Sequence, residues 1–401
     1  MTPPLHVLHW LPGDCPYGIR WDLIVPPHRA METFGVEVRR LRPKLLTSSL
    51  GEAVTLDLEA VAWADVVVWS ADWGSFWPRH TCLDCAWHSW ERLAAEEDEA
   101  AEQHRASGHR TRPVNADFDE VWPLVEKTKP IVVDFDDLLT EPMPWWVGAR
   151  EATNPARIRD VMRGATLLTA STSNLARVGR KYNANVRMIR NAIDPSQYVP
   201  KLARPDTPTR LVYYGQGPRL RDYLGEPLTP GEKPSYCRAA VEEHDLRRVF
   251  LGSDRQKVDA VGRAGFDEAW PTVEWEQWPG MLADSYPEIG VAPLIRNALN
   301  AARSELHWLE MSAVDAPCVA ERWSGGPYAA IREGIDGLLA RGRREWSEAI
   351  GKLVRSPQLR VDIAGAARER IERDYNPQNR AQEVAEAWRW AAEHPRNRVS
   401  W

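Results

Sequence analysis

Short apolar runs alternate with longer stretches of helical periodicity along nearly the whole chain, in two series parted by a proline-rich break. The first series holds "LHVLHW", "VEVRRL", "ADVVVWS", "PIVVDF", "TLLTAS" and "VRMIRN". The break is "YVPKLARPDTPT", Tyr198 to Thr209, and reads as a linker. The second series holds "RLVYYG", "RRVFLG", "TVEWEQW", "IGVAPL" and "APCVAER". Strands that alternate with helices build parallel sheets covered by helices on both faces. The expected fold is therefore α/β with two Rossmann-like domains, residues 1–200 and 205–376. A helical tail over 377–401 is expected to pack back on the first domain. A length of 401 residues suits two cores better than one. Open sheets of this kind bind ligands outside the carboxyl ends of their strands, so a cleft between the two domains is the expected site.

Composition removes several classes. Hydrophobic content of 43% and charged content of 27% describe a globular chain. No apolar run is long enough to span a bilayer, and the start "MTPPLHVLHWLPGD" lacks the basic and small-residue marks of a signal peptide. The five cysteines are scattered except for one close pair, which suits the cytoplasm. The net charge of -6 gives no general attraction to polyanions, so a nucleic-acid surface would have to be local. The sequence sets no oligomeric state.

The stretch from "IGVAPLIRNALNAARSELHWLEMSAVDAPCVAE" through "GGPYAAIREGIDGLL" to "REWSEAIGKLVRSPQLRVDIAGAARERIERDY" resembles the C-terminal half of family-four glycosyltransferases, the large retaining GT-B group. "ATLLTASTSNLARVGRKYNANVRMIRNAIDPSQY" resembles that family's passage toward the second domain. The resemblance covers nearly all the chain outside residues 78 to 112. It implies a nucleotide-sugar donor, most simply UDP-linked, on the second domain and an acceptor on the first.

Residue by residue, Glu310 matches the second glutamate of the family's E-x7-E motif, where a carboxylate accepts hydrogen bonds from ribose hydroxyls. The plain alternative is a helix glutamate without a ligand. The first glutamate would fall at Ala302, a departure that removes the usual partner of the donor sugar and turns attention to Asn297 or Asn300. A helix beginning near Ala301 is expected to aim its N-terminus at the pyrophosphate, with Arg303 and Ser304 in its first turn and Arg296 just before it. The departing diphosphate gains negative charge and needs a cation; after the first strand of the second domain, Gly215, Arg219 and Arg221 are the candidates. Gly325 and Gly326 suit close backbone approach to the donor or a simple turn. In the first domain, Gly18 and Arg20 lie in the loop that closes over phosphate and sugar in the resembling family.

"VVDFDDLL" places Asp136 and Asp137 at a strand end, as candidate catalytic residues facing acceptor or sugar. Asp134-x-Asp136 also looks like a metal clamp, but the resemblance implies no catalytic divalent metal. His9, His28 and His307 have no visible partner and read as structural.

Residues 78–112 interrupt the first series. Cys82, Cys85, His104 and His109 stand as C-x2-C-x18-H-x4-H, a donor set that suits tetrahedral zinc. A redox C-x-x-C is the competing reading, and it leaves the histidines unexplained. The helix between them carries one arginine, Arg92, against a run of acidic residues, which is the wrong sign for a phosphate backbone. The basic residues follow it, at Arg105, Arg110 and Arg112. Zinc here is expected to stiffen an insert with little core of its own. A finger of this style in an acceptor-side domain suggests a hydroxymethylated pyrimidine in phage DNA as acceptor, with Trp145 or Trp146 stacking on a base drawn out of the helix. A glycan, lipid or small molecule is the alternative, and a nucleotide-sugar binding module without turnover is a third.

Overall fold

The computed structural model describes residues 3–10, 31–41, 58–71, 80–82, 106–107, 111–113, 125–141, 155–201, 208–215, 218–226, 233–253, 261–262, 264–273 and 277–395. The chain divides into two compact units, one built mainly from His28–Ile189 with Ala381–Trp401, the other from Arg190–Arg380.

The first unit runs β1 (Leu5–Trp10), β2 (Val36–Leu41), α1 (Leu58–Trp63), β3 (Val66–Ala71), β4 (His80–Cys82), β5 (Thr111–Pro113), β6 (Ile131–Phe135), α2 (Pro155–Gly164), β7 (Leu167–Ala170), α3 (Ser173–Gly179) and β8 (Val186–Met188). Six strands form a parallel sheet in the order β2-β1-β3-β6-β7-β8. Its middle strands are buried on both faces, which is why they read as continuous apolar runs such as "IVVDF". Thr172 caps α3 by accepting from the Leu175 amide at 3.2 Å. β4 and β5 pair antiparallel, Cys82 opposite Thr111, and so tie the two ends of the 78–112 insert together.

The second unit runs β9 (Arg210–Tyr214), α4 (Pro218–Leu224), α5 (Cys237–Val241), β10 (Arg247–Ser253), β11 (Glu268–Pro271), α6 (Trp278–Asp284), β12 (Ile289–Ala292), α7 (Ala298–Ala302), α8 (Leu306–Ala313), β13 (Cys318–Glu321), β14 (Leu338–Ala340), α9 (Gly342–Arg355) and α10 (Pro357–Asp374). A last helix, α11 (Pro377–Glu393), carries the chain back to the first unit. The sheet order is β11-β10-β9-β12-β13-β14, all parallel. The direction of winding reverses between β9 and β12, which leaves a crevice at their carboxyl ends. Successive residues of β9 face opposite cores. Val212 and Tyr214 pack with Trp308 and Met311, while Leu211 and Tyr213 pack with Phe250 and Trp346.

Two strand expectations shift. "TVEWEQW" is not the strand. The edge strand is the preceding β11, which ends at Pro271, a residue with no N–H for the ladder. Val273 and Trp278 instead pack on the core from beyond the strand, Trp278 from the start of α6. β14, three residues long, is too short for periodicity to reveal. Tyr198, at the head of the expected linker, is buried in the second unit.

Candidate functional site

The crevice at the switch between β9 and β12 gathers the second unit's polar side chains. Tyr214 ends β9, and Gly215 follows with φ +148°, a conformation that L side chains rarely adopt. Glu310 lies on α8, a helix buried nearly all round. Its Oε1 accepts from Trp278 Nε1 at 2.7 Å and, more distantly, from the Tyr198 hydroxyl at 3.4 Å. Its Oε2 accepts from the Tyr214 hydroxyl. Burial, followed by the field of Glu310, pushes both tyrosine pKa values well above the usual phenol range, so both hydroxyls stay protonated donors. The imidazole of His307 meets Tyr214 edge-on, ring centres 4.0 Å apart. A buried carboxylate held by three aromatic donors was not legible in the sequence, because Tyr198, Tyr214 and Trp278 stand 112, 96 and 32 residues away from it.

The neighbouring loop departs from the expected single helix. α7 has five residues and stops because Arg303 is extended, at φ -66° and ψ 160°. α8 starts afresh after Glu305. Arg303 and Ser304 therefore occupy the break between two short helices rather than a first turn. Glu305, buried at the N-cap of α8, puts a carboxyl where the sequence reading expects an open anion site. Burial raises its pKa against the opposing pull of Arg190. Ser304 Oγ lies 2.9 Å from Asn191 Nδ2, a residue of the segment entering this unit.

Asn300 turns inward. Its Nδ2 donates to Asp222 Oδ1 and to the Ile295 carbonyl, both at 2.8 Å, and its backbone N–H is capped by Asn297 Oδ1 at 2.8 Å. Asp222 Oδ1 also takes the Ile295 amide at 2.9 Å, tying α4 to the loop after β12. Arg296 is likewise engaged. Its Nη2 reaches Glu321 Oε1 at 3.3 Å and the Arg322 carbonyl, while its amide bonds to the Lys233 carbonyl at 3.1 Å. Glu321 ends β13 and is buried; burial pushes its pKa up to about 7 despite hydrogen bonds from Trp346, Arg296 and Ser235. A charged residue closing an apolar strand was the available signal for Glu321, and the sequence reading passed over it. Arg221 Nε donates to the Glu226 carbonyl at 2.7 Å, and Arg219 lies on α4. Gly325, with φ +70°, and Gly326 make the turn after β13, where Gly326 N–H donates to the Trp323 carbonyl at 2.9 Å.

In the first unit, Asp134 is buried and accepts from Thr169 Oγ1 at 2.6 Å across β6 and β7. That carboxylate is used inside the sheet, and Asp136 and Asp137 stand half-buried just beyond the strand end. His9 is buried in β1. Gly18, Arg20, His28, Cys85, His104, Arg105, His109, Arg110, Trp145 and Trp146 lie outside the described residues; Cys82 and Arg112 are described only as backbone of β4 and β5. Among the described residues no group of three or more His, Cys, Asp or Glu could hold a metal ion, and no helix is long and apolar enough to cross a membrane.

A doubly wound parallel sheet in each unit defines the GT-B architecture, and residues 238–386 match the family described as "Glycosyl transferase-like". The chain is a glycosyltransferase-type enzyme. Sucrose-phosphate synthase from Thermosynechococcus elongatus shares its fold with a TM-score of 0.58 at 11% identity, over 96% of this chain and 98% of that one. HepE from Anabaena, solved in complex with UDP-glucose, has a TM-score of 0.53 at 12% identity, over 95% and 98%. A glycosyltransferase from Rickettsia africae has 0.54 at 9% identity, over 97% and 98%. No curated protein sequence matches the chain.

Proposed function

We propose that the protein moves a sugar from a nucleotide sugar, UDP-linked, to an acceptor hydroxyl with retention of configuration. The observation that carries this reading is Glu310, a buried carboxylate at the switch crevice of a unit whose sequence matches a glycosyltransferase family. Glu310 accepts from the ribose, the longest of its present contacts being the one that yields. Arg303, between α7 and α8, and Arg219 and Arg221, on α4 past β9, supply positive charge to the diphosphate, with Ser304 beside them. Arg296 and Asn300 act through Glu321 and Asp222 and shape the loop. The bond from the sugar's anomeric carbon to the phosphate oxygen breaks, and the acceptor oxygen bonds to that carbon on the same face. The departing phosphate oxygen takes the acceptor proton, so no catalytic divalent metal is invoked. Gly18 and Arg20 close over the donor, and Asp136 and Asp137 face the acceptor. The residues 1–200 form the acceptor side and 205–376 the donor side.

The acceptor is a hydroxymethylated pyrimidine in DNA, contacted by Arg105, Arg110 and Arg112, and the enzyme works in the cytoplasm. The test is release of free nucleoside diphosphate from a panel of nucleotide sugars, with and without hydroxymethylated DNA at low salt. Release stimulated by that DNA, with sugar incorporated into it, is the expected result. Release without incorporation moves the acceptor to a glycan, lipid or small molecule, and no release from any donor overturns the reading.

Cys82, Cys85, His104 and His109 hold one structural zinc. The β4–β5 ladder supports this, since it brings Cys82 opposite Thr111, two residues past His109. Metal analysis of protein purified without added zinc is expected to find one ion per chain. Cys82→Ser is expected to expose residues 78 to 112 to proteolysis while both sheets survive. Metal-free protein with the same resistance would count against a zinc site.

A further inference from the structure

We infer that Trp278 is the surface on which the donor's nucleobase stacks. The inference rests on the nucleotide-sugar reading and deepens it by naming a residue that sets donor affinity. In a nucleotide the base is joined to the ribose carbon next to the one bearing the 2′-hydroxyl. A ribose held at Glu310 therefore puts its base beside whatever flanks that carboxylate. Four aromatic rings stand close by. Tyr198, Tyr214 and His307 are 3%, 7% and 6% exposed and have no face to offer. Trp278 is only half-buried. It opens α6 just past the carboxyl end of β11, the edge of the sheet where ligands of such folds bind. Its N–H is anchored on Glu310 at 2.7 Å, and its ring rests against Tyr214 with centres 4.9 Å apart. Those two contacts fix the indole before any ligand arrives, so little side-chain freedom is lost on stacking. Every base has a π-face, so such a platform strengthens binding without choosing among bases.

The experiment titrates UDP, GDP and inorganic pyrophosphate into the full-length protein and into Trp278→Leu and Trp278→Phe. Loss of one stacked base corresponds to about a 5- to 150-fold weaker affinity. Trp278→Leu is expected to show that loss for UDP and GDP alike and to bind pyrophosphate unchanged. Trp278→Phe keeps an aromatic face and is expected to lose less than Trp278→Leu. Nucleotide affinity equal to or tighter than wild type in Trp278→Leu overturns the inference alone, a tighter value meaning that the indole blocks the site. A loss shared equally by pyrophosphate also overturns it, because that marks a collapsed site. Wild-type protein that binds neither nucleotide overturns the inference together with the donor reading beneath it.

Discussion

Glu310→Ala is expected to lower the unfolding free energy of the second unit by about 3–5 kcal/mol, the usual cost of breaking a buried charged network. Three donors converge on this carboxylate, from Trp278, Tyr198 and Tyr214. Tyr198 and Tyr214 are 3% and 7% exposed, so water cannot replace the lost acceptor without opening the core. Glu310→Gln keeps one acceptor oxygen and the side-chain volume, and is expected to recover much of the loss. The same alanine variant is expected to bind UDP about 30- to 150-fold more weakly, as loss of a charge-assisted contact predicts. Denaturant unfolding separates the two effects from each other when combined with nucleotide titration under conditions where the variant is folded. An unfolding curve identical to wild type would show that the three donors find other partners. Lost stability with unchanged nucleotide affinity would make Glu310 a strut and not a ligand.

Stability near neutral pH is expected to depend on Glu321. Burial holds its carboxyl at about 7 in the folded protein against an ordinary 4.5, opposed by hydrogen bonds from Trp346 at 3.2 Å and Arg296 at 3.3 Å. Between those two values the folded chain binds the proton that the unfolded chain has released. The stability contributed by this group is therefore full at low pH and declines as pH rises through that window, by up to about 3 kcal/mol. Other carboxylates act in the opposite sense, Glu268 being held down at about 2 chiefly by hydrogen bonds from Arg210, so a difference between variants is the proper readout. Glu321→Gln cannot titrate. Its unfolding free energy relative to wild type is expected to improve steadily from pH 5 to pH 8, as wild type loses the contribution. A constant difference across that range would mean that Glu321 is ionised throughout, with Arg296 as its permanent partner.

The strand-and-helix alternation made both sheets legible. "LHVLHW" and "RLVYYG" fall on β1 and β9, each the strand from which its sheet is wound. Interior parallel strands are buried on both faces and must be apolar throughout, so their positions survive in composition alone. The edge strand β11 and the three-residue β14 were misplaced or missed, because an edge needs fewer apolar residues and a short strand has no period. Zinc ligation by Cys82, Cys85, His104 and His109 was written in spacing and stays a proposal from spacing.

By itself the sequence determined two doubly wound α/β sheets and the place of Glu310 on a buried helix, because both follow from local runs of apolar residues and one carboxylate among them. The tertiary structure alone decided what that carboxylate meets. Tyr198, Tyr214 and Trp278 come from three separate segments, and only the winding of the sheet brings their donors to one point. The same holds for Asn300 and Arg296, whose polar groups the sequence offered to a ligand. Asp222 and Glu321, buried and in need of partners, claim them instead, since a buried carboxylate is costly unless neighbouring donors satisfy it.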